Sequence, residues 1–242
     1  MAAAWIGFAA GLMAAVISAL VAMRQSRLAE RLARLNSDLE AEVHRRTAII
    51  DRDLRADEVL TRYREPLAAA AFDLQSRLYN ILRLSFFDKY GEGHPRSEEA
   101  LRTTLFRLAQ YFGWTEILRR DIQFLSFPEA DATRRVAQLQ SEISKRFLTD
   151  STGAALMIWA DEQRAIGELM IVEEHGKVLC MGYASFSKHC DGAFAAWRDR
   201  LRIEVHDEAA QARLRDVQHL LCELVETLDA KRVRYTDDLQ RA

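Results

Sequence analysis

The first 23 residues constrain this chain most, because they contain no charged side chain. They read MAAAWIGFAAGLMAAVISALVAM. At about 1.5 Å per residue, a helix of this length spans about 34 Å, enough for a hydrocarbon core of about 30 Å. A cleaved signal peptide fits less well, since a basic n-region and an A-x-A site before Arg24 are both missing. The run therefore predicts a single-pass transmembrane anchor at 1–23.

Arginines follow this run at once and set its predicted orientation. Arg24, Arg27, Arg31 and Arg34 lie after it, and no Lys or Arg lies before it. The positive-inside rule then places the N-terminus outside the cell and the C-terminal domain in the cytoplasm. The cysteines lack C-x-x-C spacing, which fits a reducing compartment. We expect a protein of the inner cell membrane, with the lipid bilayer as a partner.

Small residues recur every four positions in the predicted anchor. They place a flat stripe on one helix face, where a second helix can approach closely. This stripe predicts a homo-oligomer, although alanine-rich anchors also produce such spacing by chance. The residues are Ala3, Gly7, Gly11, Ala15 and Ala19.

Residues 24–64 contain neither Pro nor Gly and predict a helical stalk. A short coiled coil that joins two copies is one interpretation, although the later steps depart from a heptad. Ten Arg against eight acidic residues give a net charge of +2, which does not indicate a nucleic-acid surface. The apolar positions, mostly three or four apart, are Leu28, Leu32, Leu35, Leu39, Val43, Ile50 and Leu54.

Pro66 predicts a helix break between the stalk and a helical domain at 65–242. In that domain, apolar residues recur at helical spacing around 66–88, 97–125, 136–147 and 214–228. For 154–202 we favour helix with a loop, while a short β-hairpin near 168–183 stays open. The predicted fold class is therefore mainly all-α: a transmembrane helix, a stalk and a multi-helix domain.

Sequence motifs for common chemistry are absent. The chain has no P-loop, Rossmann glycine fingerprint, G-x-S-x-G elbow or H-E-x-x-H motif. Cys180, His189, Cys190 and Cys222 lack zinc-ribbon spacing and are interpreted as structural or surface residues. The sequence therefore predicts no catalytic residue, no metal site and no cofactor, and it leans away from an enzyme.

One polar stretch interrupts an apolar run and is the candidate polar site. It comprises Glu162, Gln163, Arg164 and Glu168, with Arg164 and Glu168 at i and i+4 on one helix face. An exposed face with a surface ion pair is the simpler interpretation. A partly buried polar network at a binding surface is the alternative, because arginine supplies fixed donors.

Aromatic residues are dense between residues 86 and 127, where they predict a core more strongly than a ligand pocket. They are Phe86, Phe87, Phe106, Tyr111, Phe112, Trp114, Phe124 and Phe127. Gly113 lies among them and predicts either a close helix contact or a kink.

Four segments of the chain resemble a family of bacterial helical proteins of unknown function, with similar sequences in plants. The resemblance covers about 62–230 and implies one helical domain without an assigned activity. The segments are RYREPLAAAAFDLQSRLYNIL (62–82), LFRLAQYFGWTEILRRDIQFL (105–125), EQRAIGELMI (162–171) and CMGYASF (180–186).

These features together predict a membrane-anchored cytoplasmic helical domain that acts in protein–protein interaction or scaffolding. The partner protein is not identified by the sequence. The alternative is a ligand-binding or enzymatic helical domain that uses the region from Glu162 to Glu168.

Overall fold

The computed structural model describes residues 2–122, 131–174, 176–229, 234–235 and 239–242. These residues are mainly helical, as the apolar periodicity predicts. The elements are α1 (Ala2–Arg83), α2 (Phe86–Tyr90), α3 (Ser97–Ile122), α4 (Asp131–Leu148), α5 (Ala160–Leu169), β1 (Ile171–Glu174), β2 (Lys177–Cys180), α6 (Tyr183–His189), α7 (Ala195–Glu204) and α8 (Glu208–Leu228).

The transmembrane part of the predicted fold is wrong. A spanning helix needs about 20 consecutive apolar residues, and no helix in the described part of the chain combines that length with that apolar character. Residues 2–23 instead begin α1, a helix of 82 residues that continues into charged sequence. The predicted single-pass anchor at 1–23 and the predicted inner-membrane localisation, with its orientation, are corrected accordingly.

The predicted packing stripe of this anchor lies outside the described residues, which do not include the side chains of Ala3, Gly7, Gly11, Ala15 and Ala19.

The chain divides into two compact units, Met1–Asp51 and Arg52–Ala242. In unit 1 the backbone from Ala2 onward is helical, and nearly all described side chains, from Met23 onward, are exposed to solvent. Unit 2 contains the hydrophobic core.

Pro66 does not break the chain as predicted. It lies inside α1, which continues to Arg83. The apolar face predicted after Pro66 is nevertheless confirmed, since Leu67, Ala71, Leu74 and Leu78 are buried. A proline in a helix interior loses one backbone hydrogen bond and crowds the preceding turn, so the burial of this face holds the helix together across an unfavourable residue.

Two helix pairings position the elements of unit 2. Helix α4 packs on α8, and α3 packs on α5. The predicted apolar faces of α4 and α8 are both buried. The buried face of α4 consists of Val136, Leu139, Ile143 and Phe147, and the buried face of α8 consists of Leu214, Val217, Leu221, Leu224 and Leu228.

Two glycines bring α3 close to the segment around α5. A Cβ atom on Gly167 would lie 2.7 Å from the Phe112 carbonyl oxygen and 2.9 Å from Glu116 Cβ. A Cβ atom on Gly113 would lie 2.8 Å from both Met170 Cβ and Cys180 Sγ. The close contact predicted at Gly113 is therefore confirmed, and it places the α5 polar residues beside α3.

Strands β1 (Ile171–Glu174) and β2 (Lys177–Cys180) form an antiparallel hairpin, so the favoured helix is wrong there and the open alternative is correct. Ile171 pairs with Cys180 and Glu174 pairs with Lys177. Gly176 has φ +73°, the left-handed conformation that tight hairpin turns require and glycine adopts easily. A short strand contains too few residues for its apolar pattern to be distinguished from the apolar pattern of a short helix segment.

Candidate functional site

Glu162 binds the loop that precedes α5. Its carboxylate accepts hydrogen bonds from the Trp159 backbone N–H at 2.9 Å and from Trp197 Nε1 at 3.3 Å. Arg200 Nη1 donates to it at 3.2 Å and Arg200 Nη2 donates to the Met157 carbonyl at 2.5 Å. Glu162 therefore caps α5 and joins it to α7, which is a structural role.

Gln163 is buried and also serves the backbone. Its Nε2 donates to the Ile158 carbonyl at 2.8 Å and to the Ser144 carbonyl at 3.1 Å. The Ser144 bond ties α5 to the last turns of α4, and the Ile158 bond holds the loop residue just before α5.

Arg164 and Glu168 do not meet as the i, i+4 spacing predicts. The Arg164 guanidinium lies 3.8 Å from Asp161, and Glu168 lies 3.0 Å from Arg120 on α3. The four predicted residues thus lie on one helix without sharing one site.

A polar cavity of about 170 Å³ opens between α3, α4 and α5. The hydroxyls of Tyr111 and Thr115 and the Nε2 of Gln140 are buried in it without a partner in hydrogen-bond geometry among the described residues. The two hydroxyls lie one helical turn apart and interact, and burial raises the pKa of Tyr111. The polar lining of the cavity is Tyr111, Thr115, Glu116, Arg119, Gln140, Ser144, Gln163 and Arg164.

Glu116 supplies the negative charge of this cavity. Its side chain is 3% exposed and receives hydrogen bonds from Arg119 at 2.7 Å and Arg120 at 2.8 Å. Burial alone would raise the pKa of Glu116, but the two guanidinium groups outweigh burial and the pKa is lowered. Because Arg120 also contacts Glu168, the predicted polar stretch is linked to the cavity through Glu116.

A buried arginine, Arg213 on α8, fixes the loop between α4 and α5. Its guanidinium donates to the backbone carbonyls of Thr149 at 2.5 Å and Gly153 at 2.7 Å. It also donates to the carbonyls of Arg146 and Ala155. Burial lowers the pKa of Arg213. Arg213 was not predicted from the sequence, although its position four residues before Val217 places it on the apolar face of α8.

The aromatic residues of α2 and α3 belong to the core, as predicted. Phe87, Tyr111 and Phe112 are buried, and Phe86, Phe106 and Trp114 pack against the core. Phe124 and Phe127 lie outside the described residues.

An apolar stripe on α1 is exposed in unit 1. The stripe comprises Leu32, Leu35, Leu39, Val43 and Ile50, each between 56% and 61% exposed. Helix surfaces of soluble proteins usually carry single exposed apolar residues, whereas an ordered row of them marks an interface.

Comparison with known proteins adds no relationship. No protein-family model, curated protein or solved structure matches this chain. The resemblance to a bacterial helical family therefore stays a prediction. Among the described residues, no three His, Cys, Asp or Glu side chains lie together as a metal site would require.

Proposed function

We propose that this chain is a self-associating interaction module, in which the exposed stripe on α1 packs against the same stripe of a second copy. The single observation behind this proposal is the stripe itself, five large apolar side chains in ordered spacing and all exposed. Packing it against a partner helix removes apolar surface from water, which is the main favourable term in association.

The spacing of the stripe fits a second copy that runs in the opposite direction. Leu32, Leu39, Val43 and Ile50 are spaced seven, four and seven residues apart, and this pattern reads the same in both directions. Two antiparallel copies aligned about residue 41 therefore place Leu32 opposite Ile50 and Leu39 opposite Val43, so that these four apolar side chains meet, while Leu35 lies opposite Thr47.

Charge also favours the antiparallel arrangement. Residues 24–37 carry four Arg and one Glu, net +3. A parallel pair places this segment against its own copy, and like charges repel. The antiparallel pair places it against residues 45–58, where four Arg and four acidic residues sum to zero. Arg31 then lies opposite Asp51.

The test of self-association is the mass of the full chain measured by analytical ultracentrifugation. We expect a dimer for the wild type and a monomer for Leu39→Glu, because a carboxylate in an apolar interface is strongly unfavourable. Ala41→Glu is the matched control, since residue 41 faces away from the stripe and this variant should stay dimeric. A wild type that is monomeric at every concentration, or a dimeric Leu39→Glu, would contradict the proposal.

Cross-linking tests the direction of the two helices. In the antiparallel dimer, residue 32 lies beside residue 50 of the second copy, and two copies of residue 32 are about 27 Å apart along the helix at about 1.5 Å per residue. A mixture of Leu32→Cys and Ile50→Cys should cross-link, and neither should do so alone. Efficient cross-linking of Leu32→Cys by itself would instead indicate a parallel pair.

A second candidate function is the binding of a small hydroxyl-rich ligand in the polar cavity. It is supported by the Gln140 amide nitrogen, which has no partner among the described residues, and by the Tyr111 and Thr115 hydroxyls, which have only each other, because buried polar groups normally have good partners. A polyol or hydroxy acid supplies acceptors for these donors within about 170 Å³.

The cavity is tested by thermal unfolding with a series of small polyols and hydroxy acids. A ligand that fills it should raise the melting temperature of the wild type more than that of Tyr111→Phe, because binding stabilises the folded state that binds. Equal shifts in both proteins for every compound would exclude this candidate.

A further inference from the structure

Residues 239–242, the docked segment, lie against α8 and belong to no helix or strand. Hydrogen bonds to their main-chain groups hold them there. Gln218 donates from Nε2 to the Gln240 carbonyl at 2.6 Å and accepts at Oε1 from the Ala242 N–H at 3.1 Å. His219 Nε2 donates to the Ala242 carbonyl oxygen at 2.7 Å. Two side chains of α8 therefore bind three main-chain groups of the docked segment.

The two bonds of Gln218 follow the pattern of a parallel β-ladder. In such a ladder, a residue donates to a carbonyl of the neighbouring strand and accepts from the N–H two residues further along. The Gln218 amide makes the same two bonds with Gln240 and Ala242. Gln218 Nε2 also donates to Gln75 Oε1 on α1 at 3.1 Å, and neither glutamine is more than 2% exposed. Gln75 thus fixes the orientation of an amide that recognises an extended backbone.

Side-chain contacts of the docked segment add selectivity. Arg241 Nη2 lies 3.2 Å from both carboxylate oxygens of Glu226. Leu239 packs against the hydrophobic core. Main-chain bonds give affinity for an extended peptide, and contacts of this kind give specificity. The docking face, formed by Gln218, His219 and Glu226 on α8, therefore fits an extended segment with an apolar residue two positions before an arginine.

We propose that the docking face also binds the docked segment of a second copy, so that two copies exchange residues 239–242. The identical segment of another chain makes the same hydrogen bonds and the same ion pair, so exchange loses no contact. Exchange of an identical element is for this reason a low-cost route to a dimer. Because the docked segment belongs to no helix or strand, its departure unfolds neither.

This contact shares no residue with the α1 stripe and is independent of it. A chain's own docked segment competes with that of a second copy at an effective concentration of about millimolar. The exchanged dimer is therefore a minor population at micromolar protein, and the ultracentrifugation test of the stripe does not depend on it.

Fluorescence anisotropy of a labelled peptide, RYTDDLQRA (234–242), tests whether the docking face binds this segment from another molecule. Arg241→Glu places a carboxylate against Glu226 and so weakens the chain's own docked segment as a competitor. The full-length Arg241→Glu chain should bind the wild-type peptide several-fold more tightly than the wild-type chain does. Arg83→Glu, on the exposed surface of α1, is the matched control and should bind the peptide as the wild type does. Equal or weaker binding by the Arg241→Glu chain would overturn the proposal.

Cross-linking tests the exchange between two full chains, both carrying Leu39→Glu so that the stripe contributes nothing. One chain carries Glu226→Cys and the other Arg241→Cys, and a short bismaleimide joins thiols that lie together. Mass spectrometry should find the 226–241 link between chains, with several-fold more dimer in the mixture than with either chain alone. A chain with both cysteines should link within itself and reports its own docking. Internal links without links between chains, or no 226–241 link at all, would overturn the proposal.

Discussion

Two arginines of unit 2 lie almost completely inside the protein, and their surroundings give them different roles. Arg213 uses its donors on four backbone carbonyls, whereas Arg77 leaves Nε and Nη1 unused. A satisfied guanidinium stabilises the fold, whereas hydrogen bonds that a buried guanidinium leaves unmade cost stability. Arg213 therefore stabilises unit 2 through its four bonds, and Arg77 contributes less stability than a fully paired arginine would.

Replacement of Arg213 should destabilise unit 2. Arg213→Met keeps the length of the side chain but leaves the carbonyls of residues 146–155 without their donor. Each lost bond to a charged donor is worth about 1.5–3 kcal/mol, and relaxation recovers part of it, so we expect a loss of about 3 kcal/mol. Urea unfolding measures this loss in the free energy of unfolding. Arg215→Met, on the same helix, is the control, and equal stability of the two variants would contradict this role.

Glu116 should make stability depend on pH. Its pKa is lower in the folded protein than the ordinary 4.5, so its contribution is present above that value and is lost as the pH falls through the lowered pKa. The free energy of unfolding of Glu116→Gln should therefore be lower than that of the wild type at pH 7. The difference should shrink below pH 4.5. A difference that is constant with pH would exclude this ionic role.

Gly167 should not tolerate a methyl group. Alanine is normally the better helix former by about 1 kcal/mol, but its Cβ would lie 2.7 Å from the Phe112 carbonyl oxygen. We expect Gly167→Ala to lower the free energy of unfolding by about 1–3 kcal/mol, as overpacking does. Gly192→Ala is the control, because its nearest atom lies at 3.7 Å. A Gly167→Ala variant as stable as this control would show that α3 and α5 can separate without cost.

At the scale of elements, α1 contains both an unfavourable residue and an uncovered face. Pro66 lies inside it without ending it, and the stripe from Leu32 to Ile50 is exposed. A helix is cooperative, so tertiary burial at one segment can maintain it through a proline. In unit 2 that burial is supplied by Leu67, Ala71 and Leu74.

Pro66→Ala should stabilise the protein. Alanine restores the N–H that proline lacks and removes the clash with the preceding turn, together worth about 3 kcal/mol. The more flexible unfolded chain offsets about 1 kcal/mol of this gain. We expect a net rise of about 1–2 kcal/mol in the free energy of unfolding, measured by urea titration. A decrease would indicate that the proline is needed for the local packing of α1.

At the scale of the whole molecule, the three cysteines form no disulfide, and their thiols should be much less reactive than an ordinary exposed thiol. Cys190 and Cys222 are buried and Cys180 is half-buried. Burial raises the pKa of Cys180 to about 12 and that of Cys222 to about 11, and it raises the pKa of Cys190 as well. The thiolate is the reactive form, so all three should be inert in the native protein.

Iodoacetamide labelling followed by mass spectrometry checks the low reactivity of the three thiols. At pH 8 we expect slow modification of the native protein and rapid modification of three thiols in denaturant. Rapid labelling of one thiol in the native protein would identify a reactive cysteine and contradict the burial argument.

Much of the fold could be predicted from periodicity, and the exceptions have physical causes. The buried faces of α4 and α8 follow from apolar spacing, because a helix buries one side. The anchor at 1–23 was wrong, since no helix in the described part of the chain has both the length and the apolar character that a membrane span needs. The break at Pro66 was wrong because packing outweighs a local penalty.

The candidate site was less predictable. Glu162, Gln163, Arg164 and Glu168 were identified as one polar group, but their partners lie on α3, α4, α7 and the loop before α5 and, for Arg164, on α5 itself. One local signal was available for the two buried arginines. Arg77 lies three residues after Leu74 and four before Ile81, so a charged residue stands on an apolar helix face.

The sequence by itself determined the helical class, the buried faces and the apolar spacing of the stripe on α1, because these depend on spacing within one segment. Only the tertiary structure decided which polar groups are satisfied. Arg213 and Arg77 both stand on apolar faces, but whether their donors meet carbonyls or remain unused depends on segments distant in the chain. Hydrogen bonds act over about 3 Å, so their partners follow from packing and not from sequence order.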